Sequence, residues 1–117
     1  MNVDSDEIIE KARLFSNEIK NTDLYKKYAA ACDEIKSNPT LSAKLAEYKK
    51  LHAEHCRRRL DSGSTSFDDE KMIGGIYCEL KRNKTARVYL ESEKELIGLY
   101  HDVVNIILES SGIDVVI

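Results

Sequence analysis

The chain has 117 residues, 33% of them charged, yet its formal net charge is only -3. A chain of this length buries about two thirds of the surface it exposes when unfolded, enough for one modest core and too little for a second domain. Charges of both signs interspersed along the chain argue against a constitutive nucleic-acid or membrane binder, and one proline, five glycines and no tryptophan leave few helix breakers. An all-α fold with 1–117 as a single domain is predicted.

The first helix is expected from Ser5 or Asp6 to Lys20, with Asp6, Glu7 and Glu10 near its positive end and Ile8, Ala12, Phe15 and Ile19 on one stripe. Asn21-Thr22-Asp23 breaks the pattern, and Thr22 is a cap for a second helix carrying Leu24, Tyr28, Ala31 and Ile35 at helical spacing. Ser37-Asn38-Pro39 is the sharpest punctuation in the chain. Asparagine caps there, and proline takes the first helical position, where its missing N–H is not needed. The third helix then runs from Pro39 to about Asp61 with Leu41, Leu45, Tyr48, Leu51 and His55 inward, until Gly63 and its serine-rich neighbours stop it.

Ser66 caps a fourth helix whose first turn holds Asp68, Asp69 and Glu70, and whose apolar side holds Met72, Ile73, Ile76, Tyr77 and Leu80. Gly74-Gly75 costs that helix about 2 kcal/mol relative to alanines; the pair either permits close approach of another helix, the favoured reading, or marks a kink. The pattern stops around Lys81 to Lys84. A fifth helix follows from near Thr85 to about Ser110, with Tyr89, Leu96, Tyr100, Val103 and Ile107 on one stripe. At 1.5 Å of rise per residue its span is roughly 39 Å, against a diameter of roughly 35 Å for a compact domain of this size. Two long helices therefore overhang a monomer, and the usual completion is a twofold dimer. Gly112 ends the last helix, and the apolar tail 113–117 packs back or joins that interface.

Residues that carry chemistry are sparse. Cys32, Cys56 and Cys78 are odd in number and widely spaced, a pattern of reduced thiols rather than of a disulfide framework. His52 and Cys56 share a helical face with His55 nearby, but a closed metal site needs four ligands, so no metal or other cofactor is expected. His101-Asp102 and Glu91, Glu93 and Glu95 lack the mutual orientation that general acid–base work requires. With no phosphate loop and no nucleophile motif, no catalytic residue is assigned and an enzyme is not expected. Lys49-Lys50 and Arg57-Arg58-Arg59 lie toward the negative end of the third helix, which the helix dipole favours. Asp68, Asp69 and Glu70 are available to them as countercharges. The sharper reading is a basic patch for an acidic partner or for RNA phosphates. No basic start with an apolar run and no spanning segment is visible, so a cytoplasmic location is expected.

The order of these elements resembles the YlbF/YmcA family of small helical bacterial proteins. The likeness is carried by Ala12-Arg13-Leu14 with Ile19, by Tyr25-Lys26-Lys27-Tyr28, and by Asn38-Pro39-Thr40-Leu41 followed by Leu45 and Tyr48-Lys49-Lys50-Leu51. Tyr77 to Leu80, Asn83, Val88-Tyr89-Leu90 and Glu93 to Leu96 continue it. The resemblance implies an all-helical, intertwined homodimer with a cytosolic regulatory role. Some members act in a complex that modulates an RNA-cleaving ribonuclease and thereby competence, sporulation and biofilm formation. Better-known members are associated with an iron–sulfur cluster, whose cysteines have no match in this chain.

The reading is thus a five-helix elongated bundle acting as a non-enzymatic homodimeric adaptor for a protein partner in the RNA-decay machinery. Tyr48, Leu51, Tyr89, Tyr100 and Val103 are the expected dimer anchors, and Arg57, Arg58 and Arg59 the partner surface. Two alternatives are a metal- or iron–sulfur-binding redox sensor using Cys32, Cys56 and Cys78, and a direct RNA binder whose affinity falls steeply with salt.

Overall fold

A computed structural model describes residues 3–63 and 66–112. Five helices follow one another, α1 (Val3–Lys20), α2 (Asp23–Lys36), α3 (Pro39–Ser62), α4 (Phe67–Arg82) and α5 (Lys84–Ser111), with no strand among the described residues. The all-α expectation holds, and the predicted helix limits are met to within two or three residues. The apolar tail 113–117 lies outside the described residues.

Side-chain oxygens set most of the boundaries. Thr22 does double duty, its hydroxyl donating to the Ile19 carbonyl at 2.6 Å and accepting from the Tyr25 amide at 3.2 Å. One residue thus closes α1 and opens α2. Asn38 adopts extended backbone and accepts from the Leu41 amide at 3.2 Å, with Pro39 at the start of α3. Gly63, at φ 70°, closes α3 in the left-handed region by donating its amide to the Arg59 carbonyl at 2.9 Å, a conformation in which a side chain is strained. Ser66 caps α4 as expected. Asn83, part of the family likeness but not expected as a cap, accepts from the Ala86 amide at 3.1 Å and opens α5.

The chain divides into two compact units, 31–91 and the pair of segments 1–30 with 92–117. In the first, the end of α2, all of α3 and α4 and the start of α5 bury Ala31, Ile35, Leu41, Leu45, Ile73, Leu80, Ala86 and Tyr89. The pairs Lys44–Glu79, Tyr48–Tyr77, His55–Glu70 and Arg58–Asp69 advance along α3 while retreating along α4, which makes an antiparallel hairpin. No buried side-chain nitrogen or oxygen among the described residues lacks a hydrogen-bond partner.

In the second unit Ile19, Ser92 and Leu96 are buried. The predicted α1 stripe is present, but only its last member is inside. Ile8 is 64% exposed and Phe15 45% exposed, since nothing among the described residues covers them. Gly74-Gly75 also requires correction. Apart from the helix's own nearby backbone and adjacent residues, no described atom lies within 4 Å of a Cβ built on either glycine, so no other described helix approaches them closely.

Candidate interaction surfaces

Four places could carry function, and all of them are surfaces rather than enclosed sites. The first belongs to the unit made by α1 and the distal part of α5. Phe15, Val103, Ile106 and Ile107 line a wholly apolar depression of about 310 Å³. Ile97, Val104, Ile106 and Ile107 on α5 are all about half exposed or more, as are Ile8 and Leu14 on α1. Burying such side chains is worth roughly 1.5–3 kcal/mol each. A contiguous apolar face left in water marks an interaction site.

The expected dimer anchors fall in different units. Tyr100, 37% exposed, and the half-buried Val103 sit on this apolar stretch of α5. The other three belong to the α2–α5 unit and are engaged there. Tyr48 stacks on His52 with ring centroids 5.8 Å apart and meets the Tyr77 ring at 5.6 Å. Leu51 is half-buried on α3. Tyr89 is buried, its hydroxyl accepts from the Lys49 ammonium, and that ammonium lies 4.7 Å from the ring centroid. Ile106 and Ile107 make up much of the exposed face; Ile107 stands on the predicted α5 stripe, but neither is among the expected anchors.

The second place is the end of the α3–α4 hairpin. Arg58 donates to Asp69 at 2.9 Å and lies 3.8 Å from Glu54. The countercharge reading is therefore right for this arginine. Arg57 and Arg59 are exposed and make no ion pair among the described residues. Leu60 and Phe67 flank the turn and are the most exposed large apolar side chains, at 86% and 76%; periodicity did not flag them, since each lies off its helix's stripe. His55 Nε2 lies 3.8 Å from Glu70 Oε1. Further along the hairpin, a hydrogen bond from Lys44, reinforced by its charge, holds the Glu79 carboxyl below the usual glutamate range.

The third place is a groove of about 240 Å³ between the end of α2, the first half of α3 and the start of α5. Ile35, Leu45, Ala46 and Tyr89 make its apolar surface, and Cys32, Lys36, Ser42 and Lys49 complete the lining. Nothing in the sequence flagged it, because it joins residues from three helices.

The thiols are the fourth. Cys32 is half-buried while Cys56 and Cys78 are exposed, and none is in a disulfide. Cys56 Sγ lies 4.0 Å from His52 Nδ1. Among the described residues no three His, Cys, Asp or Glu side chains are grouped so as to hold a metal ion. His101 Nδ1 lies 3.3 Å from Asn105 Nδ2. No helix among the described residues is long and apolar enough to cross a membrane.

The structure is that of a small all-helical protein whose capped helices present apolar and charged faces. The chain belongs to the family described as control of competence regulator ComK, YlbF/YmcA, whose model matches residues 8–110. Among its relatives is a UPF0342 protein of Streptococcus uberis, 26% identical over 102 residues, covering 86% of this chain and 90% of that protein. A UPF0342 protein of Symbiobacterium thermophilum is 26% identical over 103 residues, 88% of this chain and 92% of the relative. One from Caldicellulosiruptor saccharolyticus is 25% identical over 95 residues, 81% and 79% of the two chains. No solved structure matches the chain. The family expected from the residue pattern is thus the right one, and with it a link to competence regulation.

Proposed function

We propose that this protein is a non-enzymatic regulator that acts as a homodimer and docks a protein partner, with residues 1–117 working as one domain. The observation that carries this reading is the exposed apolar face formed by Phe15 on α1 and Val103, Ile106 and Ile107 on α5. A twofold dimer covers such a face with its own copy, since an isologous interface is complementary to itself. Tyr100 and Val103 lie in that interface. Tyr48, Leu51 and Tyr89 of the α2–α5 unit are the further dimer anchors of this reading. Family membership supports a regulatory role in competence, and we extend it to sporulation, biofilm formation and a ribonuclease complex of RNA decay as the setting.

The partner surface is the hairpin end, where Arg57, Arg59 and Leu60 near the end of α3 and Phe67 at the start of α4 are all exposed. Arginine beside an exposed aromatic is the composition of interface hot spots. Arg58, held by Asp69, is the positioning member of the trio. Affinity capture from the native cell, with the wild type and the Arg57→Glu/Arg59→Glu variant as baits, tests this assignment. A ribonuclease component is expected with the wild type and depleted with the variant, while the unfolding temperature stays unchanged. Equal recovery with both baits contradicts the assignment.

A further inference from the structure

We infer that the exposed side of α5 is a coiled-coil seam that takes the same side of α5 from a second copy of this chain, running antiparallel. The inference rests on the proposed dimer and deepens it by naming the helix, the register and the direction of the pairing. The distal part of α5 carries two stripes, one step around the helix from each other. Ser92, Leu96, Leu99 and Val103 are buried or half-buried. Ile97, Tyr100, Val104 and Ile107 are all exposed, and they recur at steps of three, four and three residues. Alternating steps of three and four are the heptad spacing, which keeps a seam on one side of a helix and receives the side chains of a second helix between its own. A loop or a sheet edge has no use for that spacing.

The spacing also selects the occupant. It reads the same in both directions, so a reversed copy sets Ile97 against the second copy's Ile107 and Tyr100 against its Val104, the self-complementary contact that a twofold axis requires. Charge then selects the direction. The seam position before Ile97 is Glu93, and the one after Ile107 is Ser111. Parallel pairing would set Glu93 against Glu93 of the second copy, and like-charge juxtaposition disfavours it. Antiparallel pairing sets Glu93 opposite an uncharged serine. Size agrees, since a large Tyr100 facing a small Val104 interdigitates, whereas parallel pairing stacks tyrosine on tyrosine. Parallel pairs also prefer leucine at the alternate seam positions, where this chain has Tyr100 and Ile107.

Disulfide trapping in the full chain tests the register. Ile97→Cys and Ile107→Cys proteins, each alone and mixed after subunit exchange, are oxidised with copper phenanthroline, and peptide mass spectrometry locates the bridges and separates them from any made by Cys32, Cys56 or Cys78. In the antiparallel seam the two copies of position 97 stand about 15 Å apart along the axis, beyond the reach of a disulfide, so the mixture should form the bridge between positions 97 and 107 at least about tenfold faster than either protein bridges to itself. Mixed Tyr100→Cys and Val104→Cys proteins should bridge in the same way, which covers the case in which the outer pair disturbs the seam. Bridging of position 97 to itself as fast as to position 107 overturns the proposal in favour of a parallel seam. A wild type that sediments at twice the chain mass, with neither mixed bridge formed, overturns the seam and leaves the proposed dimer standing. A folded wild type that sediments as a single chain overturns both.

Discussion

Asn38, Ser66 and Asn83 each place a side-chain oxygen on a backbone amide that a helix start leaves without a partner. Removing such an oxygen costs about 1 kcal/mol, so Asn38→Ala is expected to lower the unfolding free energy by that amount in a urea titration. Leu80, on α4 and 1% exposed, is at the other extreme; Leu80→Ala costs about 2–5 kcal/mol because the surroundings cannot fully collapse on the space left. Glu79 makes a pH prediction. Its folded pKa lies below the ordinary value because of Lys44. Its contribution is therefore complete above the ordinary glutamate pKa of about 4.3 and is lost as the pH falls through the lower folded value. The difference in unfolding temperature between wild type and Glu79→Gln should vanish on that descent and stay constant above pH 5; a difference that grows toward acid contradicts the Lys44 pairing. At this scale the sequence was legible wherever a cap residue stood beside a second signal. Asn38 precedes proline and Ser66 precedes three carboxylates. Asn83 follows Leu80-Lys81-Arg82 with no such neighbour and was missed.

Helix α4 carries a question that sequence could not answer. Gly74-Gly75 has the composition of a close helix crossing, but composition does not say which chain the crossing helix comes from. With open space around both positions, Gly74→Ala and Gly75→Ala should each stabilise the isolated helix by roughly 0.5–1 kcal/mol, read as a raised unfolding temperature. A lowered one would mean that a second chain packs there. The α3–α4 pairing was half legible for the same reason. Periodicity supplied the facing residues Leu45, Tyr48, Ile73 and Leu80, and the antiparallel register needed the pairs that bind the two helices. Arg58 tests that register at the hairpin end. Its ion pairs are exposed and worth about 0.2–1 kcal/mol, so Arg58→Ala should shift the unfolding midpoint only slightly, whereas Arg57 and Arg59 should not shift it at all.

The whole molecule turns on apolar surface that its described residues leave exposed. Helical spacing identified the stripes on α1 and α5, since the 3.6-residue period is local and visible in one sequence. What covers a stripe is a tertiary fact, and Ile8 and Ile19 look alike in the pattern although one is exposed and the other buried. The length of α5, 28 residues and about 42 Å of rise, was the better clue, because so long a helix presents more face than a small core can use. Ile106→Glu places a charge in the middle of the apolar face. It should weaken self-association by at least about tenfold, or 1.4 kcal/mol, with helix content unchanged by circular dichroism. The most direct test of the account is sedimentation equilibrium of the full chain over micromolar concentrations, beside the Phe15→Glu/Ile106→Glu variant. The wild type should sediment at twice the 13.3 kDa chain mass and the variant at the mass of one chain, still helical. A wild type that is folded and sediments as a single chain throughout would contradict it.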